Sequence, residues 1–189
     1  MRIPDTGRRR ALIVVDVQPA FVNRGNRHVI QNIRRLLDGV DYNLYAEALF
    51  HAERGGIWDR QQKWTCPRNA GFFTVPVLAE ALRTLGSVRI EKETKSAFKG
   101  KPDLAALFRK HKIDEVHVAG YDTNDCIIAT AYEAFDLGMF TYVIEECVES
   151  SSTRTLHKEA LALLRHQNMT NNSCVERAKF RRVPLPGPK

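Results

Sequence analysis

The sequence predicts an α/β fold in which a mostly parallel sheet carries helices on both faces. Short β-branched segments alternate along the chain with segments whose apolar residues recur at helical spacing. The first short segment, ALIVVDV at 11–17, is apolar at nearly every position, as is typical of a strand buried on both faces of a parallel sheet. The chain has 189 residues, which suits a single domain spanning 1–189.

The short segments are the predicted strands, and each ends near a glycine, a proline or a polar residue. We place the strands at 11–17, 43–51, 87–91, 115–119, 140–145 and 174–180. In sheets of this kind, ligand sites form at the carboxyl ends of the strands. Polar residues that follow these six segments are therefore the first candidates for chemistry.

Five segments with helical periodicity connect the strands, and glycines mark several of their ends. We place helices at 28–38, 77–85, 102–111, 124–137 and 154–166. Pro102 is expected in the first turn of its helix, where its missing N–H costs nothing. Thr123 or Asn124 is expected to cap the helix over 124–137.

Composition and charge favour a soluble globular protein over a nucleic-acid or membrane protein. Apolar residues make up 43% and charged residues 27% of the chain, and the formal net charge is +7. Several basic residues cluster at the two ends of the chain, where we expect 1–10 and 181–189 to be flexible basic ends, so nucleic-acid binding is not predicted. No apolar run approaches the length of a membrane span and no targeting segment is visible, so we expect a cytoplasmic protein.

The four cysteines are Cys66, Cys126, Cys147 and Cys174, and none of them forms a C-x-x-C pair. This spacing agrees with a reducing compartment.

Residues 57–75 form the longest segment without periodicity and contain two tryptophans and two phenylalanines. Long irregular loops inside compact domains are often lids or binding loops. A packed surface loop anchored by its aromatic side chains would have the same composition. Both interpretations stay open at the level of sequence.

Three strand ends bring an acid, an amine and a thiol to the same edge of the predicted sheet. Asp16 lies near the end of the first strand, Lys92 follows the third, and Cys126 follows the fourth. Each residue alone has an ordinary structural explanation, but their coincidence favours a catalytic site. Cys126 would lie in the first helical turn, where the helix dipole favours a thiolate and free N–H groups can hold an oxyanion. Such a set is suited to acyl transfer.

The same residues lie in three segments that carry a family resemblance. The segment VAGYDTNDCIIATAYEAFDLG at 118–138 resembles the nucleophile motif of isochorismatase-like cysteine hydrolases. VVDVQPAFV at 14–22 is similar to their first-strand motif, and KETKSAF at 92–98 looks like their lysine motif. The three occur in the family order, and the resemblance covers roughly residues 11–175.

The resemblance implies a three-layer α/β/α sandwich with a mostly parallel six-stranded sheet, and homo-oligomers. It makes Cys126 the nucleophile, Asp16 the general base and Lys92 the supporting amine, with Lys95 a competitor for the last role. It also implies a cis peptide bond between Tyr121 and Asp122. The backbone N–H groups of Asp122 and Cys126 would then form the oxyanion hole.

The resemblance also implies where this chain departs from its relatives. Nicotinamidases of the superfamily carry an Asp-x-His metal motif, but here WDRQQKW at 58–64 places Arg60 and Gln61 after Asp59. We therefore expect no metal and no cofactor, and nicotinamidase activity is in doubt. True isochorismatases lack the nucleophilic cysteine, so Cys126 argues against that branch. Position and residue type suggest that the substrate pocket is lined by Gln18, Phe21, Trp64 and Tyr121.

The predicted function is a cysteine-dependent hydrolase that cleaves a C–N bond of a small amide or ureide through a thioester. Three alternatives remain. A catalytically silent member that binds a ligand or partner would have a pocket blocked by Trp64 or by the 57–75 loop, or Lys92 directed away from Cys126. A redox sensor would need Cys147 close to Cys126 as its resolving thiol. A nucleic-acid binder would use the basic ends.

Overall fold

Five parallel strands form the sheet in the computed structural model, which describes residue 3 and residues 6–65 and 72–173. The strands are β1 (Arg10–Val15), β2 (Leu44–Phe50), β3 (Val88–Lys92), β4 (Glu115–Gly120) and β5 (Phe140–Val148). Their order in the sheet is β3-β2-β1-β4-β5, and every neighbouring pair is parallel. The predicted parallel sheet is confirmed, and the predicted sixth strand at 174–180 lies outside the described residues.

Helices cover both faces of this sheet, which gives the expected three layers. They are α1 (His28–Gly39), α2 (Pro76–Thr84), α3 (Leu104–His111), α4 (Ile128–Asp136) and α5 (Arg154–His166). The buried side chains of α1 and α2 belong to one hydrophobic core, and those of α3, α4 and α5 belong to the other. Among the described residues, no helix is both long enough and apolar enough to cross a membrane.

Strand β1 shows why the first apolar run had to be a central strand. Ala11, Ile13 and Val15 point into the core beneath α3, α4 and α5, whereas Leu12 and Val14 point into the core beneath α1 and α2. All five side chains are at most 2% exposed. Because alternate residues of a strand face opposite sides, burial on both faces requires a continuous apolar run.

The expected start of the third helix was wrong. Pro102 is not in the first turn of α3, because the chain passes it through a cis Lys101–Pro102 bond and the helix begins at Leu104. Asp103 caps that helix instead, accepting a hydrogen bond from the backbone N–H of Ala106 at 2.9 Å. The short side-chain acceptor satisfies a helix-terminal N–H that a proline cannot reach.

Side chains in the described part of the amino-terminal end contact the rest of the domain. Thr6 donates a hydrogen bond to the buried carboxylate of Glu115 at 2.7 Å, and the guanidinium of Arg8 stacks over the Phe140 ring at 3.6 Å. Arg9 donates to the backbone oxygen of His111. These basic side chains therefore pack against β4 and its neighbours, while the opposite end, 181–189, lies outside the described residues.

The carboxyl end of β4 approaches β1 so closely that only glycine fits there. Gly120 has a φ of 123°, and a Cβ built on it would lie 2.0 Å from the backbone oxygen of Val15. The next residue, Tyr121, donates its N–H to that same oxygen at 2.9 Å. This contact brings the segment after β4 directly beside the segment after β1, where the predicted catalytic residues lie.

Candidate active site

Asp16, Lys92 and Cys126 come together at the carboxyl edge of the sheet. The Lys92 Nζ lies 2.8 Å from Asp16 Oδ2 and 3.5 Å from Cys126 Sγ. Asp16 directly follows β1, Lys92 is the last residue of β3, and Cys126 lies in a π-helical turn, Thr123–Ile127, between β4 and α4. The strand-end rule thus selected three side chains that the fold places in mutual contact.

Lys92 carries a buried ammonium group that donates hydrogen bonds to three neighbouring acceptors. Besides Asp16 and Cys126, its Nζ donates to the backbone oxygen of Thr94 at 3.0 Å. It also lies 5.0 Å from the centre of the Phe50 ring. Burial by itself lowers the pKa of Lys92, but the Asp16 carboxylate and the Cys126 sulfur outweigh it and hold the pKa above its ordinary value. Lys92 therefore stays charged.

Asp16 is a buried carboxylate with one oxygen engaged and one free for chemistry. Its φ of 53° is unusual for a residue with a side chain, and it turns the chain sharply out of β1. Burial raises its pKa, and the ammonium of Lys92 opposes that rise. Oδ2 bonds to Lys92, whereas Oδ1 has no hydrogen-bond partner of good geometry within the described part of the chain, although the Cys126 thiol lies close enough to lower the pKa of this carboxyl.

Cys126 is 6% exposed, and its surroundings oppose the thiolate that its place in a helical turn favours. Burial raises its pKa well above the ordinary value, the Asp16 carboxylate raises it further, and Lys92 lowers it by less than these two raise it. A carboxylate beside a buried sulfur disfavours a second negative charge more strongly than one helical turn favours it.

The expected cap of this helix is also corrected. The turn begins at Thr123 after Asp122, and neither Asp122 nor any other side chain there forms a capping hydrogen bond. The Thr123 hydroxyl bonds instead to Nδ1 of His157 at 2.9 Å. Asn124 has its side-chain oxygen buried without a partner among the described residues.

A cavity of about 340 Å³ leads from the surface to Cys126. Four aromatic side chains form one side of it, which we call the aromatic wall: Phe21, Phe50, Trp58 and Trp64. Polar side chains make up most of the rest of the lining, which includes Lys95, Asp122, Asn124, Asp125, Ser151 and Ser152. A cavity of this size suits a small molecule.

The rings of the aromatic wall contact one another and form a continuous surface. Phe21 stacks on Trp64 with ring centres 6.0 Å apart and an angle of 14° between the planes. Trp58 meets the edge of Phe50 at 4.7 Å and donates its indole N–H to the backbone oxygen of Glu93 at 2.8 Å. Such a surface favours flat or apolar substrate groups.

Of the four predicted pocket residues, Phe21 and Trp64 line the cavity, whereas Gln18 and Tyr121 do not. Gln18 is 1% exposed, and its amide exchanges two hydrogen bonds with the backbone of Phe50, at 2.7 and 3.1 Å. Tyr121 is fully buried and donates its hydroxyl to the backbone oxygen of Asn26 at 2.8 Å. Both correct the expectation of substrate contact, because each holds a neighbouring segment in place.

Several lining residues escaped the sequence analysis. Phe50 ends β2 and Ser151 follows β5, so the strand-end rule could have selected both. Trp58 lies in a π-helical turn, Trp58–Gln62, inside the segment predicted to be irregular. The sequence contains no signal for the curvature of that turn, which directs Trp58 inward.

Lys95 and Asp59, the other residues that the sequence analysis considered for the site, are paired with neighbouring groups. Lys95 pairs with Asp125 at the rim of the cavity, and its Nζ lies 5.5 Å from the centre of the Trp58 ring, so it does not take the place of Lys92. Asp59 accepts a hydrogen bond from the Gly55 N–H. No group of three His, Cys, Asp or Glu side chains suited to a metal ion occurs among the described residues.

The geometry also bears on the alternatives. Lys92 contacts Cys126, and the cavity reaches Cys126 past Trp64, so neither Lys92 nor Trp64 shows the sign of a silent member. Cys147 belongs to the core on the opposite face of the sheet from Cys126, and burial raises its pKa to about 12. It is therefore poorly placed to act as a resolving thiol. Cys66 and Cys174 lie outside the described residues.

Comparisons with known proteins agree with this fold. Residues 10–174 match the family model described as the isochorismatase domain. The chain is 26% identical over 181 residues to the uncharacterized isochorismatase family protein YrdC of Bacillus subtilis, covering 86% of this chain and 90% of that protein. It is 32% identical over 98 residues to maleamate amidohydrolase of Pseudomonas putida, covering 52% of this chain and only 46% of that protein.

The structure is similar to that of the yeast nicotinamidase Pnc1p, with a TM-score of 0.73 and 20% identity over 85% of this chain and 98% of that one. At this level of identity, the likeness shows a shared fold. The family match, which covers most of the chain, extends from β1 to beyond α5 and includes all three residues of the site. The chain therefore belongs to the isochorismatase family of hydrolases.

Proposed function

We propose that this protein hydrolyses a C–N bond of a small amide or ureide through a thioester on Cys126. The observation that carries the proposal is the position of the Lys92 ammonium, 2.8 Å from the Asp16 carboxylate and 3.5 Å from the sulfur of Cys126, which lines the cavity. An acid–base group, a nucleophile and a fixed positive charge are the parts that acyl transfer requires.

In the first half of the reaction, Asp16 Oδ1 takes the thiol proton as the sulfur attacks the substrate carbonyl carbon. The resulting oxyanion accepts hydrogen bonds from the backbone N–H groups of Asp122 and Cys126, and the cis Tyr121–Asp122 bond is present as expected. The C–N bond then breaks, Asp16 returns the proton to the nitrogen, and ammonia or an amine leaves. Cys126 is left as a thioester.

In the second half, Asp16 takes a proton from water, and the hydroxide attacks the thioester carbon. The C–S bond breaks, the acid product leaves, and the proton on Asp16 returns to the sulfur. Lys92 keeps its protons throughout and balances the charge that moves between Asp16 and Cys126. The raised pKa of Asp16 suits this role, because a more basic carboxylate accepts a thiol proton more readily.

Two named relatives support an amide substrate. One is called a maleamate amidohydrolase and another a nicotinamidase, and both names describe amide hydrolysis. The aromatic wall and the cavity of about 340 Å³ favour a small substrate with a flat or apolar part. A cytoplasmic location, a homo-oligomer and the absence of nucleic-acid binding stay predictions.

The test is to supply the protein with maleamate, nicotinamide, benzamide and N-carbamoylglycine and to measure released ammonia. Intact-mass spectrometry of quenched reactions should show an acyl group on Cys126 in the wild type. Cys126→Ala should release no ammonia, whereas Cys147→Ala should behave like the wild type, because Cys147 lies on the opposite face of the sheet. Turnover that survives in Cys126→Ala would contradict the proposal.

A further inference from the structure

The side chain of Asp122 forms two hydrogen bonds that the proposed reaction does not use. Its Oδ1 accepts the backbone N–H of Ser151 at 2.6 Å, and its Oδ2 accepts the Ser151 hydroxyl at 2.5 Å. Both residues line the cavity. Ser151 lies between β5 and α5, so this Asp122–Ser151 pair joins the segment after β4 to the segment after β5.

The preceding residue is fixed as well. The N–H of Tyr121 donates to the backbone oxygen of Val15 at 2.9 Å, and its hydroxyl donates to the backbone oxygen of Asn26 at 2.8 Å. The peptide unit between Tyr121 and Asp122 is therefore held through the side chains at both of its ends. This peptide unit carries one of the two N–H groups that the proposed mechanism directs at the oxyanion.

Other contacts hold the rest of the turn but not this peptide. The Thr123 N–H donates to the backbone oxygen of Glu149 at 3.1 Å, and its hydroxyl bonds to His157 at 2.9 Å. Only the Ser151 contacts, among those that the structure describes, reach the Asp122 side chain. Removing them would take away the side-chain restraint on Asp122, whereas Thr123 and the Asp122 backbone oxygen, which accepts from the N–H groups of Asp125 and Ile127, would stay anchored.

We propose that Asp122, through its two hydrogen bonds to Ser151, is a positioning residue that holds its own backbone N–H in the oxyanion hole. The inference rests on the proposed function, because it concerns the stabilisation of the same tetrahedral intermediate. An oxyanion donor is effective only when it is oriented before the charge develops, so a loosened peptide lowers the rate of acylation. Alkylation of the thiol is different, because the sulfur attacks a CH2 carbon and no oxyanion forms. This N–H therefore does not contribute to the rate of alkylation.

Two reagents separate the loss of oxyanion stabilisation from a change in the reactivity of the Cys126 thiol. Acylation of Cys126 is measured as the p-nitrophenolate burst with p-nitrophenyl acetate, and alkylation is measured with iodoacetamide. Removal of an oxyanion donor costs about 10²–10³ in rate, so we expect misplacement in Asp122→Ala to slow the burst about 10- to 100-fold. Ser151→Ala, which removes one of the two hydrogen bonds, should slow it about 5-fold. Alkylation should change less than about 2-fold in both.

Conservative variants that keep the hydrogen bonds between residues 122 and 151 should restore the rate of acylation. Ser151→Thr keeps the hydroxyl, and Asp122→Asn offers one acceptor to the Ser151 N–H and one donor to its hydroxyl oxygen, so both should acylate at close to the wild-type rate. Asp136→Ala, at the exposed end of α4, is the matched control for losing a carboxylate. Thermal unfolding of each variant identifies any that fails to fold, and Ser151→Ala keeps the test valid if Asp122→Ala does so.

The outcomes are distinguishable. A wild-type protein that is never acylated on Cys126 contradicts the proposed function, and this inference falls with it. A wild-type burst that is unchanged in Ser151→Ala and Asp122→Ala overturns the positioning role alone. A parallel loss of acylation and alkylation also overturns it, because a general disturbance of the site would then be the cause.

Discussion

Lys92 lies at the end of β3 and Asp16 at the end of β1, yet their charged groups are 2.8 Å apart although β2 runs between the two strands. Neighbouring strands are about 4.8 Å apart, so the contact spans a backbone distance of about 10 Å. Only a long side chain that crosses the end of β2 can bridge it. The ring of Phe50, the last residue of β2, lies beneath this crossing ammonium.

This arrangement predicts that Lys92→Met strongly lowers turnover. Methionine fills a similar volume but leaves Asp16 as an unpaired buried carboxylate, which would bind a proton and stop acting as a base. We expect activity to fall at least about 100-fold, with a loss of about 3–5 kcal/mol in the free energy of unfolding. Steady-state ammonia release and urea denaturation measure the two effects. A Lys92→Met variant with near wild-type turnover would remove Lys92 from the mechanism.

The charges on Asp16 and Lys92 predict opposite shifts in the pKa of Cys126. The Asp16 carboxylate raises that pKa and the Lys92 ammonium lowers it. Alkylation by iodoacetamide across pH 6 to 11 should therefore show a wild-type inflection above the ordinary thiol value of about 8.5. The inflection should lie lower in Asp16→Asn. Asp16→Asn should then react faster with iodoacetamide at pH 8 while hydrolysing no amide.

The same pH profiles can also contradict the prediction of a raised pKa for Cys126. A wild-type inflection below about 8 would mean that the resting site holds a thiolate, as the sequence alone suggested. Peptide mapping must place the label on Cys126, because Cys66 and Cys174 can react as well. Cys147 is fully buried and serves as an internal reference for a thiol that should remain unlabelled in the folded protein.

The architecture was predictable because it depends on local patterns. The continuous apolar run of β1 and the alternation of strands and helices indicated a parallel sheet, and the rule for strand ends then selected Asp16, Lys92 and Cys126. The direction of the pKa shift of Cys126 was not predictable, because it depends on burial and on the Asp16 carboxylate at the end of another strand. The positions of Ser151 and Trp58 depend on how loops fold over the sheet edge, which no periodicity encodes.

Gly120 tests how closely β4 must approach β1. A Cβ at this position would lie 2.0 Å from the Val15 oxygen, and the φ of 123° is one that other residues rarely adopt. Gly120→Ala should therefore cost at least about 3 kcal/mol in the free energy of unfolding. Gly39→Ala is the matched control, because a Cβ there meets nothing within 4 Å.

Urea denaturation followed by circular dichroism measures both glycine variants. Gly39→Ala should change stability by less than about 1 kcal/mol. Equal stability of the two variants would mean that the segments after β1 and β4 tolerate separation. The close approach of Tyr121 to Val15 would then not be needed to form the site.

The last prediction concerns the dependence of stability on pH. Burial raises the pKa of Asp122 to about 6, with Asp125 and Asp16 adding to the rise and the two Ser151 hydrogen bonds opposing it. A carboxyl group whose pKa is higher in the folded state than in the unfolded state binds its proton more tightly when folded. The stability that it contributes is therefore fully present below pH 3.8 and is lost as the pH rises through about 6.

Asp122→Asn removes this dependence because asparagine does not titrate. The difference in unfolding free energy between wild type and Asp122→Asn should shift by about 2–3 kcal/mol between pH 4 and pH 7.5, in favour of the variant at the higher pH. Urea denaturation at several pH values measures it, with exposed Asp136→Asn as the control that should show no such shift. A constant difference across this range would mean that Asp122 is solvated in the folded protein, since only burial opposes its ionisation strongly enough to produce the shift.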